Sequence, residues 1–183
     1  TEGATCHYTW YVPQNVEGLF QVINNSGQNV ITRLDRMFDE GLYWHGNEPC
    51  HQIAYLYNKA GAPWKTQQRI HHILNTEYND TPGGLSGNDD AGQMSAWYMF
   101  SAIGFYPVCP ATPYYYIGTP SFDKVTFNLE NGRKFEIVAE EVDDENFYIQ
   151  QVDLNGKSGY YLSHDDLLKG GKLSFRMGNT PKY

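Results

Sequence analysis

Along the first hundred residues, apolar side chains recur at intervals of three and four, the spacing that gathers them on one face of a helix. Val16, Leu19, Phe20 and Ile23 form one such stripe behind Pro13, whose fixed φ suits a first helical position, and predict a helix over 13–24. Val30, Ile31, Leu34, Met37 and Phe38 form a second, stopped by Gly41, over 28–40. Pro49 opens a third with Ile53, Leu56 and Tyr57, ended by the turn Gly61-Ala62-Pro63; a fourth spans 63–77 with Trp64, Gln67, Ile70, Ile73 and Leu74. A Gly-rich turn at 82–87 leads into a fifth over 91–103, where Met94, Trp97, Tyr98 and Ile103 are apolar nearly all round and predict burial.

After Tyr106 the period falls to two. Residues 124–129 and 134–138 alternate around Glu130-Asn131-Gly132-Arg133, the signature of a hairpin with Asn-Gly at its tip. Further strands are expected near 146–154, 159–163 and 172–177. Helices followed by a run of strands mean an α+β chain: helical hairpins over 1–108, then a C-terminal antiparallel β segment over 109–183.

Composition narrows the partners. A formal net charge of -8, with 13 Lys and Arg and no run of them, argues against nucleic acid or an anionic membrane surface as the main partner and favours a neutral or cationic ligand. No apolar stretch approaches the ~18 residues of a membrane span. The first residues, Thr1-Glu2-Gly3-Ala4, carry no secretory signal from which export could be read. Cys6, Cys50 and Cys109 are too few and too scattered for a disulfide framework or a CxxC site and are expected as small buried residues. The 15 Tyr, 9 Phe and 4 Trp suit a core and suit stacking on sugar rings equally.

Three polar segments stand at helix ends: 1–4, 46–52 and 87–93. In the last, Asp90 and Gln93 have capping-box spacing, so Asp90 or Asp89 could simply cap the fifth helix. Two adjacent carboxylates exceed what a cap requires, and a carboxylate at a helix N-terminus is suited to act as a general base toward water. In the middle segment Glu48, flanked by Asn47, His51 and Gln52, offers the oxygen-rich surroundings that suit a hard cation, or equally a charge that complements the helix dipole. His51, His71 and His72 lack any zinc spacing. Trp97 belongs to the core by its helix; Trp10 and Trp44 flank the polar loops as candidate sugar platforms. By sequence alone, Glu2 is an exposed terminal residue.

Together these segments resemble glycoside hydrolase family 92. The likeness rests on Glu2-Gly3-Ala4 with Tyr8-Thr9-Trp10-Tyr11-Val12-Pro13, on Gly46-Asn47-Glu48-Pro49, on 83–97 (Gly-Gly-Leu-Ser-Gly-Asn-Asp-Asp-Ala-Gly-Gln-Met-Ser-Ala-Trp), and on Gly104-Phe105-Tyr106-Pro107. The resemblance implies the C-terminal part of a Ca2+-dependent, inverting, exo-acting α-mannosidase that hydrolyses terminal mannose from a glycan, with α-1,2 linkage as the expected type. It implies a secreted, periplasmic or cell-surface protein in which an N-terminal β-sandwich joins an (α/α)6 toroid, this chain supplying the last helical hairpins. By motif, Glu2 aligns with the general acid and Asp90, aided by Asp89, with the general base. Asn47, Glu48, Asn88, Trp44 and Trp10 would touch substrate, and Glu48, Gln52 and Asn47 would hold the metal. The chain alone is expected to be inactive. A non-catalytic carbohydrate-binding module and a purely structural domain are the competing expectations.

Overall fold

The computed structural model describes residues 2–156 and 158–183. Its helical part opens with α1 (Thr5–Thr9), then a 3-10 turn at Pro13–Asn15 and α2 (Val16–Asn25). The expected single helix over 13–24 is thus broken at Asn15, which leaves helical geometry and caps α2 by accepting from the Gly18 amide at 2.9 Å. Asn29 caps α3 (Val30–Asp39) in the same way. The stretch that begins at Pro49 is not one helix. It is two 3-10 turns, Glu48–Cys50 and Ile53–Tyr55, followed by the short α4 (Leu56–Lys59). α5 (Pro63–Thr76) matches the expected fourth helix, and α6 (Gln93–Ile103) is the fifth.

Val16, Phe20 and Ile23 of α2, Val30, Leu34 and Met37 of α3, residues 53–57, and Ile70, Ile73 and Leu74 of α5 meet in one hydrophobic cluster with Trp97. Asp35 ties α3 to its neighbours, accepting from the Tyr57 hydroxyl and from Lys65 Nζ, each at 2.9 Å. On α6 only one side is covered. Met94, Trp97, Ser101 and Ala102 are buried, whereas Tyr98 and Met99 are exposed, so the expectation of burial all round is corrected for this chain.

The second part holds two sheets. One has the order β1 (Phe105–Tyr106), β2 (Tyr114–Ile117), β6 (Tyr161–Ser163); the other has β3 (Lys124–Asn128), β4 (Lys134–Glu140), β7 (Gly171–Gly178), β5 (Tyr148–Leu154). Phe135, Ile137 and Ala139 on β4 and Leu173, Phe175 and Met177 on β7 alternate inward and make the core of the larger sheet. Every pairing is antiparallel except β4 with β7, which run parallel. The sheet is therefore mixed: the chain returns to β4 through β5, β6 and α7 (His164–Lys169) rather than through a hairpin.

The two parts are joined through one buried and one half-buried polar side chain. Gln67 Oε1 on α5 accepts from the Ile149 amide at 3.0 Å, and Asn58 Nδ2 donates to the Ile117 carbonyl at 2.7 Å. Cys50 and Cys109 are buried as expected; Cys6 is only half-buried. Among the described residues no helix is long and apolar enough to cross a membrane.

Candidate active site

A cleft of about 360 Å3 is lined by Tyr11, Pro13, Glu48, Gln52, Asp90, Gln93, Tyr106, Pro107, Val108 and Pro110. Two of the polar segments singled out in the sequence therefore open into one space. Glycine brings them together. Gly46 and Gly87 touch backbone to backbone: a Cβ on Gly87 would stand 2.6 Å from the Gly46 carbonyl oxygen, and one on Gly46 would stand 2.7 Å from that of Ser86. Any side chain at either position would push the Glu48 loop away from the Asp90 loop.

Three successive left-handed residues, Asp90 (φ 49), Ala91 (φ 58) and Gly92 (φ 97), turn the chain into α6. Left-handed backbone at a non-glycine residue costs free energy and collects at functional sites. Here it separates the two aspartates. Asp89 Oδ1 accepts from the Ser95 amide at 2.9 Å and from the Ser95 hydroxyl at 2.8 Å, and the Asp89 carbonyl accepts from the amides of Gly92 and Met94. Asp90 lines the cleft. The expected Asp90–Gln93 capping box is corrected accordingly: the residue at the N-cap is Gly92, without a side-chain cap, and Asp89 serves the helix start.

Behind the cleft a buried chain of hydrogen bonds fixes Gln93. Tyr78 donates its hydroxyl hydrogen to the Met94 carbonyl at 3.1 Å, so it accepts from His45 Nε2 at 2.6 Å, and His45 Nδ1 accepts from the Tyr43 hydroxyl at 2.7 Å. His51 Nε2 donates to the His45 carbonyl at 3.0 Å, which leaves its Nδ1 to accept from Gln93 Nε2 at 3.2 Å. Gln93 Nε2 also donates to the Tyr106 hydroxyl at 3.2 Å. With both amide hydrogens committed, Gln93 has its Oε1 free as an acceptor at the cleft wall. Burial holds both rings neutral, pulling His45 down to about 2 and His51 below its usual value; the charges of Glu48 and Asp90 oppose the fall at His51, so both carboxylates lie within electrostatic reach of that ring. The spacing in the sequence marks Gln93 only as a cap partner and Tyr106 not at all. The signal was their place inside the quoted motifs.

The remaining candidates are placed as follows. Glu2 is exposed and its side chain does not line the cleft, but its segment is anchored beside Glu48: Asn47 Nδ2 donates to the Glu2 carbonyl at 3.0 Å, and His7 Nε2 donates to the Leu42 carbonyl at 2.7 Å. Asn47, nearly buried, thus ties the two segments together. Asn88 is exposed and lies outside the cleft lining. Trp44 is exposed, with its ring 6.5 Å from that of His7. Trp10 is corrected as a sugar platform: it is 2% exposed, with the Arg33 guanidinium 5.8 Å from its ring, because its side chain belongs to the helical hydrophobic core rather than meeting solvent.

For a hard cation, the donor set is oxygen-rich and fits. Gln52 Nε2 is held by the carbonyls of Pro49 at 3.0 Å and Trp10 at 3.3 Å, leaving Oε1 as its free polar atom beside Glu48 and Asp90. Both nitrogens of His51 are already engaged, so it is not a ligand. Among the described residues no group of three His, Cys, Asp or Glu side chains is placed to hold a metal ion, in the cleft or elsewhere, so the oxygens offered here are those of Glu48, Asp90 and the Gln52 amide.

The family model for the glycosyl hydrolase family 92 catalytic domain matches residues 1–179. The chain is similar to the family GH92 α-mannosidase BT3965 of Bacteroides thetaiotaomicron, at 46% identity and TM-score 0.93 over 100% of this chain and 26% of that one. It is similar to the family GH92 inverting mannosidase BT2199 of the same organism, at 38% identity and TM-score 0.90 over 99% of this chain and 28% of that one. It is 32% identical, over 92% of its length and 22% of the relative's, to an uncharacterised secreted glycosidase of Arthroderma benhamiae. The chain thus spans about a quarter of the length of these relatives. With the domain pattern running through its helices, its cleft and its sheets, the chain belongs to glycosyl hydrolase family 92.

Proposed function

We propose that this chain carries part of the active site of an inverting, exo-acting α-mannosidase that removes terminal mannose from glycans, of α-1,2 type, with Ca2+ as cofactor. The observation that carries the reading is the meeting of Glu48, Gln52, Asp90 and Gln93, remote along the chain, in one cleft. Asp90 is the general base: it takes the proton of the attacking water, which Gln93 Oε1 helps to orient. Glu2 gives a proton to the departing glycosidic oxygen, and inversion calls for carboxyls roughly 6.5 to 9.5 Å apart so that water fits between them. Glu48 and Gln52 would hold the cation, with Asn47 supporting them from behind. When bound, Ca2+ supplies a template for the sugar hydroxyls and favours a distorted ring.

The names of the two bacterial relatives, an α-mannosidase and an inverting mannosidase, support this reading. So does the exposed apolar face of α6, which the remaining helices of an (α/α)6 toroid would cover, with a β-sandwich completing the cleft. The chain alone is then inactive. The secreted fungal relative supports an extracellular, periplasmic or cell-surface location. In the complete protein, chelation of calcium and Asp90→Asn should each lower mannose release from α-1,2-mannobiose by orders of magnitude; turnover that survives chelation removes the Ca2+ assignment, and turnover that survives both Asp90→Asn and Asp89→Asn removes the mannosidase assignment.

A further inference from the structure

A second pocket of about 410 Å3 adjoins the cleft. Pro13 lines both, and the loop between β1 and β2 separates them, turning Pro107, Val108 and Pro110 to the cleft and Cys109 and Thr112 to the pocket. Its walls carry Tyr114, Tyr116 and Tyr161. Tyr114 is 52% exposed, and the rings of Tyr116 and Tyr161 meet edge to face with centroids 4.8 Å apart. Its polar side is an ion pair, Lys59 with Glu17, and Lys59 Nζ also lies 5.9 Å from the Tyr161 ring centroid.

This chemistry selects the ligand. An anion would find Lys59 already neutralised and Glu17 beside it, and a purely apolar ligand would strip water from the ion pair. A neutral polyhydroxylated ring satisfies both walls: its C–H faces lie on tyrosine while its hydroxyls reach Glu17 and Lys59. We infer that this pocket is a distal subsite for the sugar units of a glycan that extends beyond the mannose held in the cleft.

The inference rests on the mannosidase reading but is tested apart from it. In the complete protein, kcat/KM is measured on an α-linked mannopentaose and on α-1,2-mannobiose. Tyr161→Ala should lower the pentaose-to-biose ratio about tenfold, the loss of one stacking platform. Tyr114→Ala, at an exposed position that folding tolerates, should shift it in the same direction, and Tyr161→Phe, which keeps the ring, should leave the ratio near wild type. A ratio unchanged in both alanine variants overturns the subsite. If the wild type cleaves neither substrate, the mannosidase reading fails instead, and titration of the same proteins with mannopentaose decides the pocket: weaker binding by the alanine variants supports it and equal binding refutes it.

Discussion

The contact between Gly46 and Gly87 holds the cleft together, and it can be tested with one methyl group. In Gly87→Ala the new Cβ would sit 2.6, 2.8 and 3.1 Å from three backbone atoms of Gly46, against the 3.4 Å at which ordinary contact begins. Backbone cannot swing aside as a side chain can, so the two loops must part by about 0.8 Å. Overpacking of this kind costs roughly 1–3 kcal/mol. A displacement near 1 Å in a catalytic constellation costs on the order of 100-fold in rate. Gly83→Ala is the control: it lies in the same Gly-rich turn, has nothing within 4 Å of its would-be Cβ and needs no left-handed φ. Thermal melts and kcat/KM on α-1,2-mannobiose in the complete protein should place Gly87→Ala far below wild type and Gly83→Ala close to it. Equal behaviour of the two variants would refute the idea that this contact sets the distance between Glu48 and Asp90.

Other expectations follow from the same loops. Asp89→Ala removes both acceptor contacts to Ser95 and should cost about 1–2 kcal/mol, whereas Asp89→Asn keeps an acceptor oxygen and should retain most turnover. Turnover lost in Asp89→Asn but kept in Asp90→Asn would reverse the roles of the pair. His45 binds a proton below pH 6.5 once unfolded but stays neutral when folded until about pH 2, because burial opposes its charge. Protonation therefore favours the unfolded chain. Stability from this group is complete above pH 6.5 and shrinks as pH falls, by about 2 kcal/mol at pH 5. Melts from pH 7 to 5 should fall more steeply for wild type than for His45→Gln, and parallel curves would contradict the buried neutral ring.

Much of the helical part was legible because its burial follows the 3.6-residue period: α3 and α5 lie where their apolar stripes put them. The third helix was not, since Glu48–Tyr55 winds in 3-10 turns that the same spacing of Ile53 and Leu56 cannot distinguish from an α-helix. The five residues of α1 carry no stripe at all. β2 is a run of three tyrosines and an isoleucine without alternation, and the parallel pairing of β4 with β7 joins segments no local pattern links. At the site, residue types pointed to Glu48, Gln52 and Asp90. Which aspartate caps and which faces the cleft was decided by the left-handed turn at Asp90 and Ala91, a backbone feature invisible in composition. Trp10 shows the same limit from the other side, because one aromatic face serves core and sugar alike.

The most direct measurement is a double-mutant cycle on kcat/KM in the complete protein, using Glu48→Gln, Asp90→Asn and the two combined. Groups that act on one bound sugar are strongly coupled, so the double variant should lose little more than the worse single one. Losses that multiply, as they do for distant and independent positions, would contradict a single site built from these two loops.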